Sequence, residues 1–405
     1  MKKLWREQWQ RVHSARRVVV KIGSNLLMDA GQGLRCDWIH RRVAEMVQLI
    51  KAGTQVVIVT SGAVAAGAPR LKLGEGRYPV TLGEKQAAAA AGQGVLMRCY
   101  EEALAEHGLA SAQILLTRDD MANRRRYLNA RNTLETLLEA GLVPVVNEND
   151  TVMTEELRFG DNDTLGALVA SVVDAEVLIL LSDVEGLFDG DPRNNPEARL
   201  IPFVGEVTEE MEGLAGGTGS KMGSGGMVTK LRAARAAARC GCITVLTSGF
   251  QEGAITQVMG GGGLGTLFLA QGDPISSRRR WIVNGLAIEG VLVLDDGAVQ
   301  ALLKGKSLLA TGILDIQGTF DRGAAVVCEN RHGEKIAQGL ANYSEPHLKA
   351  ILGRHSREFA DILGFVSSEE VIHRDHMVML HTRVEEGADR SRLRGALDLE
   401  ATLSA

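Results

Sequence analysis

The chain has 405 residues, 45% of them hydrophobic, and a formal net charge of −5. This length favours two domains over one, and the weak acidity argues against a general nucleic-acid binder. Its five cysteines are scattered and include no CxxC pair, which argues against a disulfide framework or a zinc site and favours the cytoplasm. The basic N-terminal extension, residues 1–16, precedes no apolar stretch typical of a signal peptide, and no apolar run predicts a membrane span.

From residue 18 onward, short continuous apolar runs alternate with helical patterns. The apolar runs predict strands buried on both faces at residues 18–23, 55–62, 112–117, 142–147, 177–183 and 243–249. Helices are predicted between them at residues 38–51, 84–106, 129–139, 163–173 and 227–239. This alternation predicts an α/β domain over residues 17–271, with a mainly parallel sheet and helices on both faces. Ligands of such sheets bind beyond the carboxyl ends of the strands.

The rhythm of the sequence changes near residue 272. Residues 272–280 are polar and predict a linker, and short strand-like pieces separated by glycines then predict a small β-rich domain over residues 281–380. Residues 381–405 form a polar tail. His373 and His376 lie near the end of the second domain, where we expect isolated surface side chains rather than a metal site.

A glycine-rich run at residues 213–226 leads directly into the predicted helix at Met227. Backbone N–H groups of a glycine loop and of a helix N-terminus can bind an anion, although a flexible surface loop is the alternative interpretation. Lys230 lies in the first turn of this helix, and Lys21 lies at the end of the first strand. A buried lysine is costly without a partner, and two lysines that converge suit the transfer of a phosphoryl group.

Asparagine and aspartate cluster in two short segments, NEND at residues 147–150 and GDND at residues 160–163. Their side chains offer acceptors to an ammonium group and donors to a carboxylate, which suits an amino-acid substrate. The alternative is that they are turn residues and that Asp163 caps the helix after it. Ser61, in the TSGA segment after the second strand, is either a helix cap or a ligand of a substrate carboxylate.

The segments VVVKIGSNLL, VIVTSGAVAAG, PVVNENDTV, FGDNDTLGALVA and GSGGMVTKLRAA resemble the amino-acid kinase family, and in particular its glutamate-phosphorylating branch. The resemblance runs from about residue 18 to residue 268 and implies the αβα sandwich of that family. The C-terminal segment resembles a PUA domain, a module that often binds RNA, so the expected second domain is PUA-like. This sequence departs from the family pattern at GSN in the first loop, where GTS is common, and at Ser182 and Ser224, where threonine is usual.

The resemblance implies ATP-dependent phosphorylation of the γ-carboxylate of L-glutamate, with Mg²⁺ bound mainly through the nucleotide phosphates. It implies that Lys21 and Lys230 stabilise the phosphates and that Asp163 holds both lysines. The glutamate-binding residues that it implies are Ser61, Asp150 and Asn162, with Asn147 as a further candidate. The ATP-binding residues that it implies are Lys21, Ser182, Asp183, Ser224, Gly225, Gly226, Met227, Val228, Thr229 and Lys230.

The resemblance also implies feedback inhibition by proline, a reductase that consumes the glutamyl 5-phosphate on the route to proline, and a dimeric or tetrameric homo-oligomer. Two alternatives stay open at this point. One is a sister kinase that acts on another carboxylate or on carbamate. The other is an RNA-binding PUA protein, which the arginine triplets at residues 124–126 and 278–280 would support. The acidic total favours a solvated face and a linker for these triplets.

Overall fold

The computed structural model describes residues 2–29, 33–71, 78–152, 162–192, 195–215, 226–271 and 288–380. The chain divides into two compact units, Met1–Trp281 and Ile282–Ala405. All five cysteines are free thiols. Within the described ranges, no helix is long and apolar enough to cross a membrane. The predicted linker at residues 272–280 and the predicted tail at residues 381–405 lie outside the described residues.

The first unit is built on an eight-stranded sheet. It also contains a separate two-stranded sheet, formed by Met28–Asp29 and Gly33–Leu34. Its strands are β1 (Arg17–Ile22), β2 (Met28–Asp29), β3 (Gly33–Leu34), β4 (Gln55–Val59), β5 (Ser111–Leu116), β6 (Val143–Glu148), β7 (Val177–Ser182), β8 (Phe203–Val204), β9 (Ile243–Ser248) and β10 (Thr266–Phe268). The order in the large sheet is β5-β6-β4-β1-β7-β9-β10-β8. Every neighbouring pair is parallel except β9 and β10. The prediction of a mainly parallel sheet is therefore confirmed.

Eleven described helices surround this sheet, and the five predicted helices are among them. They are α1 (Lys2–His13), α2 (Ser24–Leu27), α3 (Cys36–Lys51), α4 (Ala63–Gly67), α5 (Leu82–Ala105), α6 (Arg118–Ala122), α7 (Arg124–Glu139), α8 (Asn162–Val172), α9 (Glu209–Ala215), α10 (Met227–Arg239) and α11 (Ala254–Met259). Helix α7 begins five residues before the predicted start at Asn129, because Asn123 caps it. The Asn123 side chain accepts a hydrogen bond from the backbone N–H of Arg126.

The large sheet is buried on both faces by two separate hydrophobic clusters. Along β1, Val18, Val20 and Ile22 belong to one cluster and Val19 belongs to the other. Successive side chains of a strand point to opposite faces, so a strand covered by helices on both sides needs apolar residues at every position. This requirement explains the continuous apolar runs of the sequence.

The N-terminal extension is part of the hydrophobic core rather than a loose basic arm. Helix α1 places Trp9 and Val12, both buried, in the cluster that contains Val18. The ring of Trp5 packs edge-on against that of Trp9, with centroids 6.1 Å apart. A ring nitrogen of His13 lies 2.9 Å from the backbone oxygen of Met259 at the end of α11. The spacing of residues 5, 9 and 12 is that of one helical face, a signal that composition alone conceals.

The second unit has its own five-stranded sheet and its own hydrophobic core. Its elements are β11 (Ile288–Leu294), α12 (Asp296–Leu303), β12 (Ile313–Gly318), β13 (Ala325–Glu329), β14 (Lys335–Leu340), α13 (Glu345–Ala350), α14 (Phe359–Leu363) and β15 (Met377–Met379). The strand order is β12-β11-β13-β14-β15, and only β11 and β13 are parallel. The expectation of a surface position is wrong for His376, which is buried because its 3₁₀ turn leads directly into β15.

Candidate active site

The candidate residues lie where neighbouring strands of the large sheet end. Lys21 is the next-to-last residue of β1. Ser61 follows β4, which pairs with β1 on one side. Ser182 ends β7, which pairs with β1 on the other side. Asn147 lies at the end of β6, next to β4. Because these strands are parallel, the topology brings four segments that are distant in sequence to one edge of the sheet.

The centre of the site is a buried ionic cluster formed by two lysines and one aspartate. Lys21 Nζ donates a hydrogen bond to Asp163 Oδ1, and Lys230 Nζ donates to Asp163 Oδ2 at 3.1 Å. Asp163 is only 1% exposed, and the two lysines are 5% and 8% exposed. Lys21 comes from β1, Asp163 from the first turn of α8 and Lys230 from the first turn of α10. Buried charges of this kind are stable when they are paired, and the cluster as a whole keeps one positive charge.

The electrostatics of Asp163 follow from these contacts. Burial by itself would raise the pKa of this carboxyl group. The ammonium groups of Lys21 and Lys230 and the hydrogen bonds that they and Thr229 donate outweigh burial and hold the pKa well below its usual range. The carboxylate therefore stays ionised at neutral pH and fixes both ammonium groups around one point. A second anion that approaches this point meets two positive charges whose positions are already set.

Helix α10 adds its N-terminus to the cluster. It begins after Gly226, whose backbone is extended, and Met227 and Val228 lie in its first turn. Thr229 Oγ1 lies 2.9 Å from Asp163 Oδ2 and 2.7 Å from the backbone oxygen of Gly226, and it can donate to either. Backbone N–H groups of a first helical turn have no partner within the helix, so this end of α10 can bind an anion. Ser224 and Gly225 lie outside the described residues.

On the β7 side, Ser182 and Asp183 form a small polar group with Asn25. Ser182 Oγ donates to Asp183 Oδ1 at 3.1 Å, and Asn25 Nδ2 donates to Asp183 Oδ2 at 2.9 Å. Burial would raise the pKa of Asp183, but the hydrogen bonds from Asn25 and Ser182 lower it overall. Asn25 is the third residue of the GSN segment, in which this sequence departs from the family pattern. The sequence did not mark it as a site residue, and its amide ties the loop after β1 to the end of β7.

On the β4 side, a tight turn holds Ser61 against β1. Ser61 Oγ donates to the backbone oxygen of Ile22 at 3.1 Å, directly after Lys21. Gly62 has a φ of 91°, which favours glycine, and α4 begins at the next residue. The hydroxyl of Thr60 lies 2.9 Å from that of Tyr100, which is fully buried on α5. Sequence reasoning missed Tyr100, because only the packing of α5 against the sheet brings it to this turn.

The three remaining candidates lie at the end of β6, in the turn after it and at the start of α8. Asn147 is 1% exposed, and its Nδ2 donates to Gln93 Oε1 on α5 at 2.8 Å. Asp150 begins a 3₁₀ turn after β6, and burial raises the pKa of its carboxyl group to about 6. Asn162 is the first residue of α8, and in the part of the chain that the structure describes its buried Oδ1 has no hydrogen-bond partner.

The structure thus joins Lys21, Asp163, Thr229 and Lys230 in one hydrogen-bonded cluster and places Ser61 beside it. Asn147 lies two strands from β1, and no hydrogen bond between described residues links it to the cluster. An arrangement of this kind can hold a phosphate chain at the cluster and a second polar molecule toward β6. The roles of the individual side chains in a reaction remain predictions.

Comparison with known proteins identifies the class to which this fold and this cluster belong. The sequence profile of the amino acid kinase family matches residues 16–246, and that of the PUA domain matches residues 290–363. The chain belongs to the amino acid kinase family and carries a PUA domain, as the resemblance of its motifs predicted.

Individual proteins that align with about 90% of the chain show which branch of the family it belongs to. The chain is 50% identical over 367 residues to the glutamate 5-kinase of Chromohalobacter salexigens, covering 90% of this chain and 96% of that protein. It is 50% identical over 371 residues to the glutamate 5-kinase of Pseudomonas syringae pv. syringae, covering 91% and 99%. For the glutamate 5-kinase of Aromatoleum aromaticum the identity is 46% over 369 residues, covering 91% and 99%. Within the amino acid kinase family, the chain therefore belongs to the glutamate 5-kinases.

Proposed function

We propose that this protein transfers the γ-phosphoryl group of ATP to the γ-carboxylate of L-glutamate and so forms L-glutamyl 5-phosphate, the first step of proline biosynthesis. Membership of the glutamate 5-kinase family supports the reaction. The observation that carries the assignment of the site is the buried cluster of Lys21, Asp163 and Lys230 at the carboxyl edge of the sheet. Its net positive charge and its position beside the N-terminus of α10 suit the phosphates of a nucleotide.

In this reaction the protein has to position the two reactants and to offset their negative charge. The γ-carboxylate of glutamate is ionised at neutral pH, because its ordinary pKa is about 4.3, so no general base is required. Two anions must then approach each other, and holding them in line can lower the activation barrier by roughly 7–11 kcal/mol. Lys21 and Lys230 offset the negative charge of the transferring group, and Asp163 keeps both lysines in position. Ser61, Asn147, Asp150 and Asn162 bind the glutamate.

Magnesium would enter with the nucleotide. Within the described ranges, no group of three or more His, Cys, Asp and Glu side chains could hold a metal ion. Both oxygens of Asp163 are bound by lysine or threonine side chains. These residues do not form a metal cage, so we assign no protein ligand to Mg²⁺. It usually binds to nucleotide phosphates and water, where it would neutralise part of their charge.

The product has consequences for partners. An acyl phosphate is labile in water, which supports transfer to a reductase on the route to proline. Proline shares the carbon skeleton of cyclised glutamate, so inhibition by proline at the glutamate site is part of the proposal, as is a homo-oligomer. Five free thiols support a reducing compartment such as the cytoplasm. RNA binding by the PUA domain stays the alternative that the sequence left open.

The reaction is tested by ATP turnover of the purified protein with Mg²⁺ and hydroxylamine, which traps acyl phosphates as hydroxamates. L-Glutamate is compared with L-aspartate, N-acetyl-L-glutamate, carbamate and UMP. Hydroxamate that depends on glutamate is the expected result. Turnover with a different acceptor would leave the phosphate site in place and overturn the assignment of Ser61, Asp150 and Asn162. Absence of turnover with every acceptor would overturn the proposed function.

A further inference from the structure

Gln93 is an amide side chain that sequence reasoning did not single out and that lies among the proposed substrate-binding groups. It belongs to α5, and its Oε1 accepts a hydrogen bond from Asn147 Nδ2 at 2.8 Å. The residue before it, Gly92, packs directly on the helix that follows Ser61, because an added Cβ at Gly92 would lie 1.9 Å from the backbone oxygen of Ala63. The backbone of α5 at Gly92 thus contacts the helix after Ser61, and the Gln93 side chain contacts Asn147 at the end of β6.

The hydrogen bonds of Asn147 determine which way the Gln93 amide faces. Asn147 Oδ1 accepts from the backbone N–H of Glu148 at 2.9 Å, so Asn147 can offer only its Nδ2 to Gln93. Gln93 must therefore accept this hydrogen bond with Oε1, and its Nε2 must point away from Asn147. That nitrogen is buried and has no acceptor among the residues that the structure describes. An unmet buried donor costs free energy, so an acceptor is expected in the working state of the enzyme.

The position of Gln93 beside the end of β6 indicates which part of the substrate it faces. Neighbouring strands lie about 4.8 Å apart, so β6, with β4 between, lies roughly 10 Å from β1 and its lysine. In the proposed function the reacting carboxylate lies near the lysine cluster, and Asn147 and Asp150, at and after the end of β6, bind the amino-acid end of the substrate, which therefore extends toward β6. Asp150 follows β6 and offers an acceptor for the α-ammonium group. The α-carboxylate, which needs a donor, then lies on the side of Gln93.

We propose that Gln93 Nε2 donates a hydrogen bond to the α-carboxylate of glutamate and that Gln93 is a specificity-determining residue for this group. The inference rests on the proposed function and names a contact within that site. An amide N–H forms a stronger hydrogen bond to the charged oxygen of a carboxylate than to the neutral carbonyl oxygen of an α-amide, so this contact favours glutamate over a ligand whose α-carboxyl is an amide. An ordered water molecule is the alternative acceptor, and the two are separated by experiment.

The sharpest variant is Gln93→Glu, because it changes one atom of the contact. The glutamate side chain keeps an oxygen that accepts from Asn147 Nδ2 and replaces the donor Nε2 by a second oxygen. An exposed glutamine on α3, Gln48, gives the matched control, and Gln48→Glu introduces the same charge on a helix surface. For both variants and the unaltered enzyme, kcat and KM are measured for L-glutamate and for its α-amide, L-isoglutamine.

In Gln93→Glu we expect the KM for L-glutamate to rise roughly 10- to 100-fold, the size of a lost hydrogen bond to a charged group, while kcat changes little. The preference for glutamate over isoglutamine, as a ratio of kcat/KM values, should fall by at least as much, because the new oxygen can accept from the α-amide. Gln48→Glu should leave that ratio unchanged. Thermal shift on addition of each ligand gives a second readout if Gln93→Glu turns over too slowly.

An unchanged preference ratio in a folded, active Gln93→Glu enzyme would overturn the inference and favour the water molecule. An equal loss for both ligands would also overturn it, because a structural role of Gln93 would weaken binding without regard to the α-substituent. If the unaltered enzyme does not turn over glutamate at all, the proposed function falls and the inference falls with it. That outcome is distinguishable because it appears before any substitution is made.

Discussion

At the scale of single residues, the site depends on one carboxylate that is shared by two cations. Asp163 is bound through Oδ1 by Lys21 and through Oδ2 by Lys230, with Thr229 alongside. Removing either lysine would abolish the net positive charge of the cluster, and removing Asp163 would leave two buried ammonium groups without their shared carboxylate, so each member has both a structural and a catalytic consequence. The two consequences are separable, because folding is measured without substrate and transition-state stabilisation is measured by kcat.

We predict that Lys230→Ala lowers kcat at least about 100-fold, since removing one preorganised group that stabilises developing charge commonly costs that much. The measurement is glutamate-dependent hydroxamate formation at saturating substrates. Arg232→Ala is the matched control on α10, because Arg232 is largely exposed and pairs with Glu212 at 3.3 Å. The control should keep nearly full activity. An unchanged kcat in Lys230→Ala would exclude Lys230 from the catalytic machinery.

We predict that the titration of Asp150 lowers kcat/KM for glutamate at acidic pH. Burial raises the pKa of this carboxyl to about 6, so it is protonated and neutral below that pH and ionised above it. The ionised form attracts the α-ammonium group of glutamate, and therefore kcat/KM for glutamate should fall as the pH drops below about 6. The profile of kcat/KM reports the free enzyme, which is the state to which this pKa refers.

The control for this pH effect is Asp150→Asn, which keeps the size of the side chain and removes its charge. This variant should show weaker glutamate binding throughout and no limb near pH 6. If the limb persists in Asp150→Asn, another group causes it, and the assignment of Asp150 to the ammonium group is wrong.

At the scale of elements, the turn that carries Ser61 is positioned by close contact between α4 and α5. An added Cβ at Gly67 would lie 1.8 Å from the backbone oxygen of Ala88, and one at Gly92 would lie 1.9 Å from that of Ala63. These are backbone atoms of helices and cannot rotate away. The two glycines therefore set the distance between the helices and, through it, the position of the turn at Ser61.

We predict that Gly92→Ala destabilises the protein by at least 1–3 kcal/mol, the usual cost of overpacking, and raises the KM for glutamate. Gly94→Ala is a matched control on the same helix, because an added Cβ there meets no atom within 4 Å. That control should stabilise the protein by roughly 0.5–1 kcal/mol, since alanine is the better helix former. Urea unfolding measures both values. Equal stability of the two variants would contradict the tight contact.

Elements were predictable where their signal extends over many residues. The six long strands of the large sheet appear in the sequence as apolar runs, and α10 was predicted with its observed bounds. Strands β8 and β10 have two and three residues, too few for any periodicity to show. Helix α1 was not predicted, because its apolar residues lie among basic ones and their helical spacing extends over too few residues to stand out.

At the scale of the whole molecule, each of the two units has its own sheet and core, and every described residue of the candidate site belongs to the first. A ligand stabilises the unit that binds it, by about 2.7 kcal/mol at a concentration 100-fold above Kd. We predict that glutamate with a non-hydrolysable ATP analogue slows hydrogen exchange in β1 and β7 but not in β13 and β14. Equal slowing in both units would contradict this prediction.

The class of fold, the identity of the strands and the side chains that follow them are legible in the amino-acid sequence, because these features depend on local patterns of apolar residues, glycines and turns. Which of these side chains meet depends on how the strands and helices pack in three dimensions. Asp163 is 142 residues from Lys21 and 67 from Lys230. The strand order and the packing of α8 and α10 on the sheet bring the three together. Gln93, Tyr100 and Asn25 became visible for the same reason: hydrogen bonds across such distances leave no periodic trace in a sequence.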